Sequence, residues 1–480
     1  MTSLSRRLSP RPSTNQPPST HEAAKGGADV ARRLPQAAGG PAPSDPNIAA
    51  PPSLSALLAE FRWCFTAWTF PVFCALATGM LAQTGRRTVC GMLVGARLSR
   101  VWSHHRAHRF FSHARWSLPE VSATLARLVV RLLVADGEAI TVAVDDTLFH
   151  RRGPKVHAAS WFHDGSAQGG KKVGYGNNWV IAAIVVRLPF LDRPVALPVG
   201  FALVAKGTDA ASRLELSRAL VESLADALPD RELHVVADSA YAGKSLRGLP
   251  SPISWTTRLR SNAALYQLAP PRTGKRGRPR LKGAKLGSLA TLAAEASFTA
   301  TTVRRYGTTA TVHTAVLRCL WWGVFGPQQV QVVLVRDRAT TGYNIALVST
   351  DLTATAAQVL QRYAARWSIE VAIEDAKQTF GVGQAHNRVQ AAVERTTPFG
   401  LIIATLTVCW HATAGHHPDD VDAARELAPW YRSKTQPSVL DMLGKLRRVI
   451  IAAQLRPADP QPATPQEIRI LRLAWANVAA

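Results

Sequence analysis

Residues 139–147 read AITVAVDDT, a strand-forming run that leads straight into two adjacent carboxylates. Ile140, Val142 and Val144 alternate with smaller residues at a period of two, which predicts a strand with acids at its end. Working outward, Trp179 to Leu188 and Pro194 to Val204 are further strand candidates, separated by the turn-like LDRP at 191–194. Residues 211–228 place Leu214, Leu216, Leu220, Leu224 and Leu228 along an amphipathic helix. The short apolar run LHVVA at 233–237 then predicts a buried strand that ends on Asp238.

Three strands, a helix and a fourth strand match the ribonuclease-H-like order, in which acids at strand ends face a common cleft. The fold class expected is therefore α/β: a ribonuclease-H-like core, interrupted by a β-rich insertion and preceded by a helical domain. After Leu259 the pattern breaks. Residues 270–285, PPRTGKRGRPRLKGAK, carry seven cations and no acid. This stretch resembles the Arg-Gly-Arg-Pro hook that enters a narrow minor groove, which makes Arg276, Arg278 and Arg280 candidate DNA contacts; a solvated loop is the other reading. Strands return at Phe298 to Tyr306, Thr309 to Trp322, Val330 to Asp337 and Tyr343 to Ser349. A helix is expected from near Thr353 to about Phe380, and a last apolar helix from Thr397 to Ala412 packs on the sheet. The domain boundaries that follow are a disordered tail 1–50, a helical DNA-binding domain 51–137, the core 138–262, the basic loop and insertion 263–350, the rest of the core with its catalytic helix 351–412, and a helical C-terminal region 413–480.

With 480 residues the chain exceeds one ordinary domain, and an apolar content of 47% excludes a wholly disordered protein. Its formal charge of +25 suits a polyanionic partner, since each cation near a phosphate backbone releases condensed counterions. Of 57 cations, 45 are arginines, a bias that bidentate phosphate contacts and a GC-rich genome explain equally well. Between Pro51 and Trp116, eight arginines face the single acid Glu60, and WSHHRAHRFFS at 102–112 interleaves cations, histidines and aromatics. This points to a helical DNA-binding module. The four histidines 104, 105, 108 and 113 lack accompanying acids or cysteines and do not read as a metal site. Five scattered cysteines without a Cys-x-x-Cys pair imply neither a disulfide framework nor a zinc knuckle. The run from Phe65 to Leu81 is too short and too interrupted for a membrane span, and no secretory signal is visible, so a soluble intracellular protein is expected.

The most specific segment is YAARWSIEVAIEDAK at 363–377. On an ideal helix with Tyr363 at 0°, Arg366 falls at about 300°, Glu370 at about 340° and Lys377 at about 320°. One face thus carries a phenol, two cations and a carboxylate. Glu374, at about 20°, is not excluded as the acid by this arithmetic. Asp145 or Asp146, Asp238 and Glu370 are together the oxygen donors that a pair of Mg²⁺ ions needs for phosphoryl transfer. The strand alternation does not choose between Asp145 and Asp146. GGKKVGYG at 169–176 lacks the spacing of a phosphate-binding loop and reads as a hairpin.

With these residues the chain resembles the DDE transposases of bacterial insertion sequences, in the insertion-sequence-four-like branch marked by a Tyr-x2-Arg-x3-Glu-x6-Lys signature. Tyr363, Arg366, Glu370 and Lys377 match that spacing without a gap. VDDT at 144–147 looks like the first-aspartate motif and VVADSAY at 235–241 like the second, while WYRSKTQPS at 430–438 with DML at 441–443 is similar to C-terminal segments of related elements. The resemblance covers roughly residues 80–450. It implies Asp145, Asp238 and Glu370 as a metal-binding catalytic triad holding two Mg²⁺ ions, with Mn²⁺ as a substitute. It also implies that Tyr363, Arg366 and Lys377 contact transposon-end DNA, and it leads one to expect a β insertion between Asp238 and Glu370. The activity implied is cleavage at transposon ends and joining of 3′-hydroxyls to target DNA by at least a dimer, in the cytoplasm and nucleoid of a bacterium, with no membrane partner. A catalytically inactive DNA-binding derivative and a structure-specific nuclease on the same fold are the alternatives.

Overall fold

A computed structural model describes residues 50–455 apart from 166, 168–170, 272–277, 306 and 338–341. Residues 1–49 of the expected tail and 456–480 of the expected C-terminal region therefore lie outside the described residues, as does Arg276.

Five helices come first: α1 (Pro52–Ala59), α2 (Thr69–Ala82), α3 (Val89–Gly95), α4 (His104–Ser112) and α5 (Leu118–Leu133). Side-chain oxygens start the last three. Thr88 accepts from the Gly91 N–H, Ser103 from that of His105 and Ser117 from that of Glu120, satisfying amides that no preceding turn can serve. Helices α2 and α3 touch backbone to backbone. A Cβ on Gly79 would lie 1.8 Å from the Met92 carbonyl oxygen, and one on Gly95 would lie 2.1 Å from that of Gly79. These helices do not form a core of their own. Phe65, Phe73, Phe110 and Trp116 meet Phe399 of a later helix in one aromatic cluster, and the Arg395 guanidinium donates to the carbonyls of Phe111, Ala114 and Trp116.

The sheet begins with β1 (Ile140–His150), β2 (Ser160–His163), β3 (Val173–Val186) and β4 (Val195–Val204), continues after α6 (Arg213–Ala227) with β5 (Leu233–Ala237), and then adds β6 (Ile253–Arg258). β4 pairs antiparallel with β3, β3 antiparallel with β1, β1 parallel with β5, and β5 parallel with β6. That order and those directions are the ribonuclease-H-like arrangement. β6 was not anticipated: ISWTTR offers six residues with no clean alternation. α6 opens with a capping box in which Ser212 and Glu215 bond reciprocally.

The insertion comprises α7 (Leu289–Glu295), β7 (Thr299–Arg305), β8 (Thr308–Leu320), α8 (Trp322–Phe325), β9 (Gln329–Arg336) and β10 (Ile345–Ser349). β10 pairs with β6, so the inserted strands extend the core sheet to ten strands. They also build a second apolar cluster, in which Val303, Val312, Val333, Val335 and Leu347 pack against Val359 and Leu360 of α9 (Ala356–Ala365).

The helix expected over 353–380 is two helices. α9 ends at Ala365 and α10 (Trp367–Gln378) starts two residues later. At the junction the Arg366 N–H bonds to Tyr363 O and the Ile369 N–H to Arg366 O, each three residues back, and the Ser368 hydroxyl takes the Ala365 carbonyl. This tight 3₁₀-like turn re-aims the second segment. α11 (Gln390–Trp410) follows and runs on through a π-helical turn, His411–Gly415, before α12 (Asp420–Leu427) and α13 (Val439–Leu455). α11 with its π turn is long and apolar enough to cross a membrane, but 78% of its apolar window is buried inside the protein, as for a core helix. All five cysteines are free.

Because the atoms facing Gly79 are backbone, they cannot swing away. Gly79→Ala is expected to lower unfolding stability by about 1–3 kcal/mol or more in denaturant titrations. Gly85→Ala, whose Cβ would meet only the Gln83 side chain at 4.0 Å, serves as the near-neutral control.

Candidate active site

Asp145 is not at the end of its own strand. β1 continues to His150 along β3, but its pairing with β5 stops at Val144 and Ala237. Asp145 is thus the first residue of β1 beyond β5, and Asp238 is the first residue beyond Ala237. In a parallel pair, partners point to the same face and the next residues to the opposite one. Asp145 and Asp238 therefore share a face, where the two strands part.

α10 covers that face. The Arg366 guanidinium lies between two acids, its Nη2 2.7 Å from Glu370 Oε1 and its Nη1 3.6 Å from Asp145 Oδ2. Its Nε is buried without a hydrogen-bond partner. Asp146 turns to the opposite face. There Arg213 of α6 donates to both its oxygens at 3.0 and 2.9 Å, Asn178 donates at 2.8 Å and the Tyr241 hydroxyl at 2.7 Å. The doublet is thereby divided: Asp145 faces Glu370, and Asp146 is fully engaged in the scaffold. Glu374 is exposed and accepts from the Gln378 amide, away from Asp145.

Burial pushes the Asp145 carboxyl up to about 6. The Asp146 N–H and Arg366 oppose that rise, and the charges of Asp146 and Glu370 add to it. On Asp238, Oδ1 accepts from the Ser239 N–H at 2.6 Å, and its carbonyl accepts from Thr257 and from the Tyr241 N–H. Tyr241 thus ties the Asp238 turn to Asp146, and burial drives its hydroxyl far above the ordinary range. Nothing in a single sequence marks this Asp146–Tyr241–Arg213–Asn178 network except the position of Tyr241 within the second aspartate motif.

Tyr363, at the end of α9, is half-buried. Burial raises its hydroxyl, Arg366 opposes this, and the Asp238 charge reinforces it, so the phenol borders the same acids. Its ring lies 5.8 Å from the Arg366 guanidinium carbon. Lys377 sits two turns beyond Glu370 rather than beside it, 5.4 Å from the Phe149 ring and facing Asp164, with burial lowering its pKa. Arg278 and Arg280 are exposed on the loop leading from β6 to α7. The same loop is anchored where Lys282 stacks on Tyr266, 3.9 Å from the ring centroid. A cavity of about 360 Å³ flanked by Trp367, Val371, Asp375 and Met442 contains none of the three acids.

The three carboxylates do not form a set with all ligand atoms within 4.8 Å of one another; two of them are spread around Arg366. A family model described as DDE superfamily endonuclease matches residues 60–370, well over half of the chain and all three acids. The chain belongs to the DDE endonuclease superfamily. Among solved structures, a cryo-EM structure of the piggyBac transposase synaptic complex with hairpin DNA is similar, at 13% identity and a TM-score of 0.37, covering 90% of this chain and 84% of that one. No curated protein matches in sequence. DDE endonucleases generally use divalent metal ions. The donors here fit such an ion: they are hard carboxylate oxygens, and one is held up to about 6 by burial and neighbouring acids, a repulsion that a divalent cation relieves.

The raised carboxyl has a consequence for this DDE endonuclease as pH changes. Below about pH 4, Asp145 is protonated both folded and unfolded. As pH rises through 6, the folded state must carry a desolvated charge that the unfolded chain carries at less cost. Asp145→Asn should therefore gain stability over the wild type between pH 4 and 7, by up to about 3 kcal/mol. Urea titrations of both proteins in chelator check this, and a gap that does not grow with pH refutes it.

Proposed function

We propose that this DDE endonuclease is a transposase that binds transposon ends, cleaves them by metal-dependent phosphoryl transfer and joins the resulting 3′-hydroxyls to target DNA. The observation that carries the reading is the common face of Asp145 and Asp238 with Glu370 arriving from α10. Asp145, Asp238 and Glu370 would hold two Mg²⁺ ions, with Mn²⁺ as a substitute. When bound, these supply activation of the attacking hydroxyl and charge neutralisation at the leaving oxygen. In each step the attacking oxygen forms a new bond to phosphorus as the bond to the 3′-oxygen breaks. Phosphodiester exchange conserves bond energy, so no nucleotide is consumed.

The protein's own groups do the positioning. Arg366 is permanently charged and balances Asp145 and Glu370, and its planar fork is of the kind that holds a phosphate oxygen. Tyr363, its phenol kept neutral by burial, donates a hydrogen bond to the backbone of the bound end. Lys377, two turns further along α10, meets a phosphate further along the strand. The N-terminal helices supply a second basic surface. α4 exposes His104, His105, Arg106, His108 and Arg109, and Trp68, which is 85% exposed, lines the same hollow as His105, Arg106 and Arg109. The Lys/Arg-rich segment that carries Arg276, Arg278 and Arg280 is a separate candidate DNA contact, since lysine- and arginine-rich loops follow phosphates and narrow grooves. Pairing of two ends implies at least a dimer acting on double-stranded DNA. The resemblance of 363–377 to the insertion-sequence-four-like signature supports reading the protein as one of those elements' transposases, acting in the bacterial cytoplasm on nucleoid DNA, and a hairpin at the transposon end belongs to that reading.

Glu370→Gln should keep end binding within about twofold and lose strand cleavage by at least ~10³-fold in Mg²⁺, as expected when a metal-holding carboxylate is removed. Full cleavage by this variant overturns the assignment, and loss only in Glu374→Gln moves the acid by one turn. Joined transposon–target products support transposition, whereas cut ends alone support a structure-specific nuclease. Binding without cleavage by the wild type supports an inactive derivative.

A further inference from the structure

The end of α11 holds a feature unrelated to the acids. His411 is 1% exposed, yet neither of its ring nitrogens has a hydrogen-bond partner. An imidazole buried in this way forfeits its hydration with no return. It sits at the start of the π-helical turn His411–Gly415, and such turns recur at functional sites. The turn brings His416 round to the same side, where its ring stacks on Phe190 at 4.2 Å, and Phe190 also meets the His411 ring at 5.4 Å. Asp420, the first residue of α12, completes the group. Its Oδ2 lies 3.8 Å from His411 Nε2 and 3.9 Å from His416 Nδ1, and all three ligand atoms fall within 4.8 Å of one another.

These separations are too long for hydrogen bonds but close to what one ion demands. Tetrahedral bonds of about 2.0–2.2 Å set donor atoms about 3.3–3.6 Å apart. The donors are two imidazole nitrogens and one carboxylate oxygen, a set that suits Zn²⁺ rather than Mg²⁺, which prefers oxygen alone. Asp420 is already oriented: its Oδ2 accepts from the His417 N–H at 2.9 Å, and its Oδ1 is bonded by Lys445 of α13. Such outer contacts hold a ligand carboxylate in place. His416, one-third exposed, leaves a way in from solvent.

We propose that His411 Nε2, His416 Nδ1 and Asp420 Oδ2 form a structural binding site for Zn²⁺ or a similar transition-metal ion, with water in the fourth position. The ion staples the end of the core helix α11 to α12 and, through Lys445, to α13. It satisfies the buried Nε2 and takes no part in DNA chemistry. The site is also chemically distinct from the carboxylate cluster, so the two can be loaded separately.

Full-length protein free of any histidine tag, stripped with a chelator, is titrated with Zn²⁺ beside His416→Ala and Asp420→Asn. The wild type should bind one more equivalent than either variant, and Co²⁺ should give it a tetrahedral visible absorption that both variants lack. At a hundredfold excess over Kd its melting temperature should rise by about 3 °C. Because His416 is partly exposed, His416→Ala should melt as the wild type does in chelator, and Asp420→Asn keeps an oxygen for Lys445. Equal stoichiometry in the wild type and both variants, or a Co²⁺ spectrum unchanged by the substitutions, overturns the proposal.

Discussion

The Arg366 guanidinium, shared between Asp145 and Glu370, is the contact on which the acid-bearing end of the molecule depends. Asp145 and Glu370 are each partly withdrawn from water, and bringing like charges together at such depth is costly unless something positive lies between them. One planar, permanently charged group reaching both acids meets that requirement, and it comes from the same helix as one of them. Its position is set by the turn between α9 and α10, where bonds three residues back replace the regular ladder. Straightened into one helix, the segment would carry Arg366 and Glu370 off on a different axis.

The inserted strands are what hold that turn in place. Because β10 pairs with β6, the insertion continues the core sheet and presents Val303, Val312, Val333 and Leu347 to Val359 and Leu360 of α9. α9 is thus fixed by the insertion, while α10 lies against β1 and β4 of the original core. The break at Arg366 marks where one support hands over to the other. A segment that in sequence looks like an interruption of the fold is, physically, the wall against which the acid-bearing helix is set.

Much of this was legible in the residues, and the failures have a common cause. The inserted strands show in β-branched runs such as residues 330–335, and the central strand shows in its alternation. The choice between Asp145 and Asp146 does not, because alternation gives two faces without saying which one meets α10. Only the register with β5, more than ninety residues away, decides that. The break in the helix is equally hidden: residues 356–378 contain neither glycine nor proline to mark it, and the bend comes from packing against two different surfaces. β6 is short and buried between β5 and β10, so its neighbours rather than its own pattern make it a strand. Elements carried by local periodicity could be read, and relations between distant elements could not.

The excess of arginine needs the same distinction. Several guanidiniums point inward and serve carbonyls that loops leave unpaired. Arg218 bonds the carbonyls of Ser245, Arg247 and Gly248, Arg231 those of Ala135 and Glu138, and Arg395 those of Phe111, Ala114 and Trp116. Arg151 is buried between Asn177, Gly383 and Thr397, joining β1 and β3 to α11. A five-donor planar group can close several such gaps at once, which lysine cannot. These residues add to the net charge of +25, but a guanidinium committed to carbonyls must give up those bonds before it can turn to a phosphate. Counterion release on binding a polyanion must come from the exposed cations instead, on α4 and on the loop carrying Arg278 and Arg280. Total charge therefore overstates the number of phosphates this surface can engage, and the part of the arginine excess that builds the fold is separate from the part that can meet DNA.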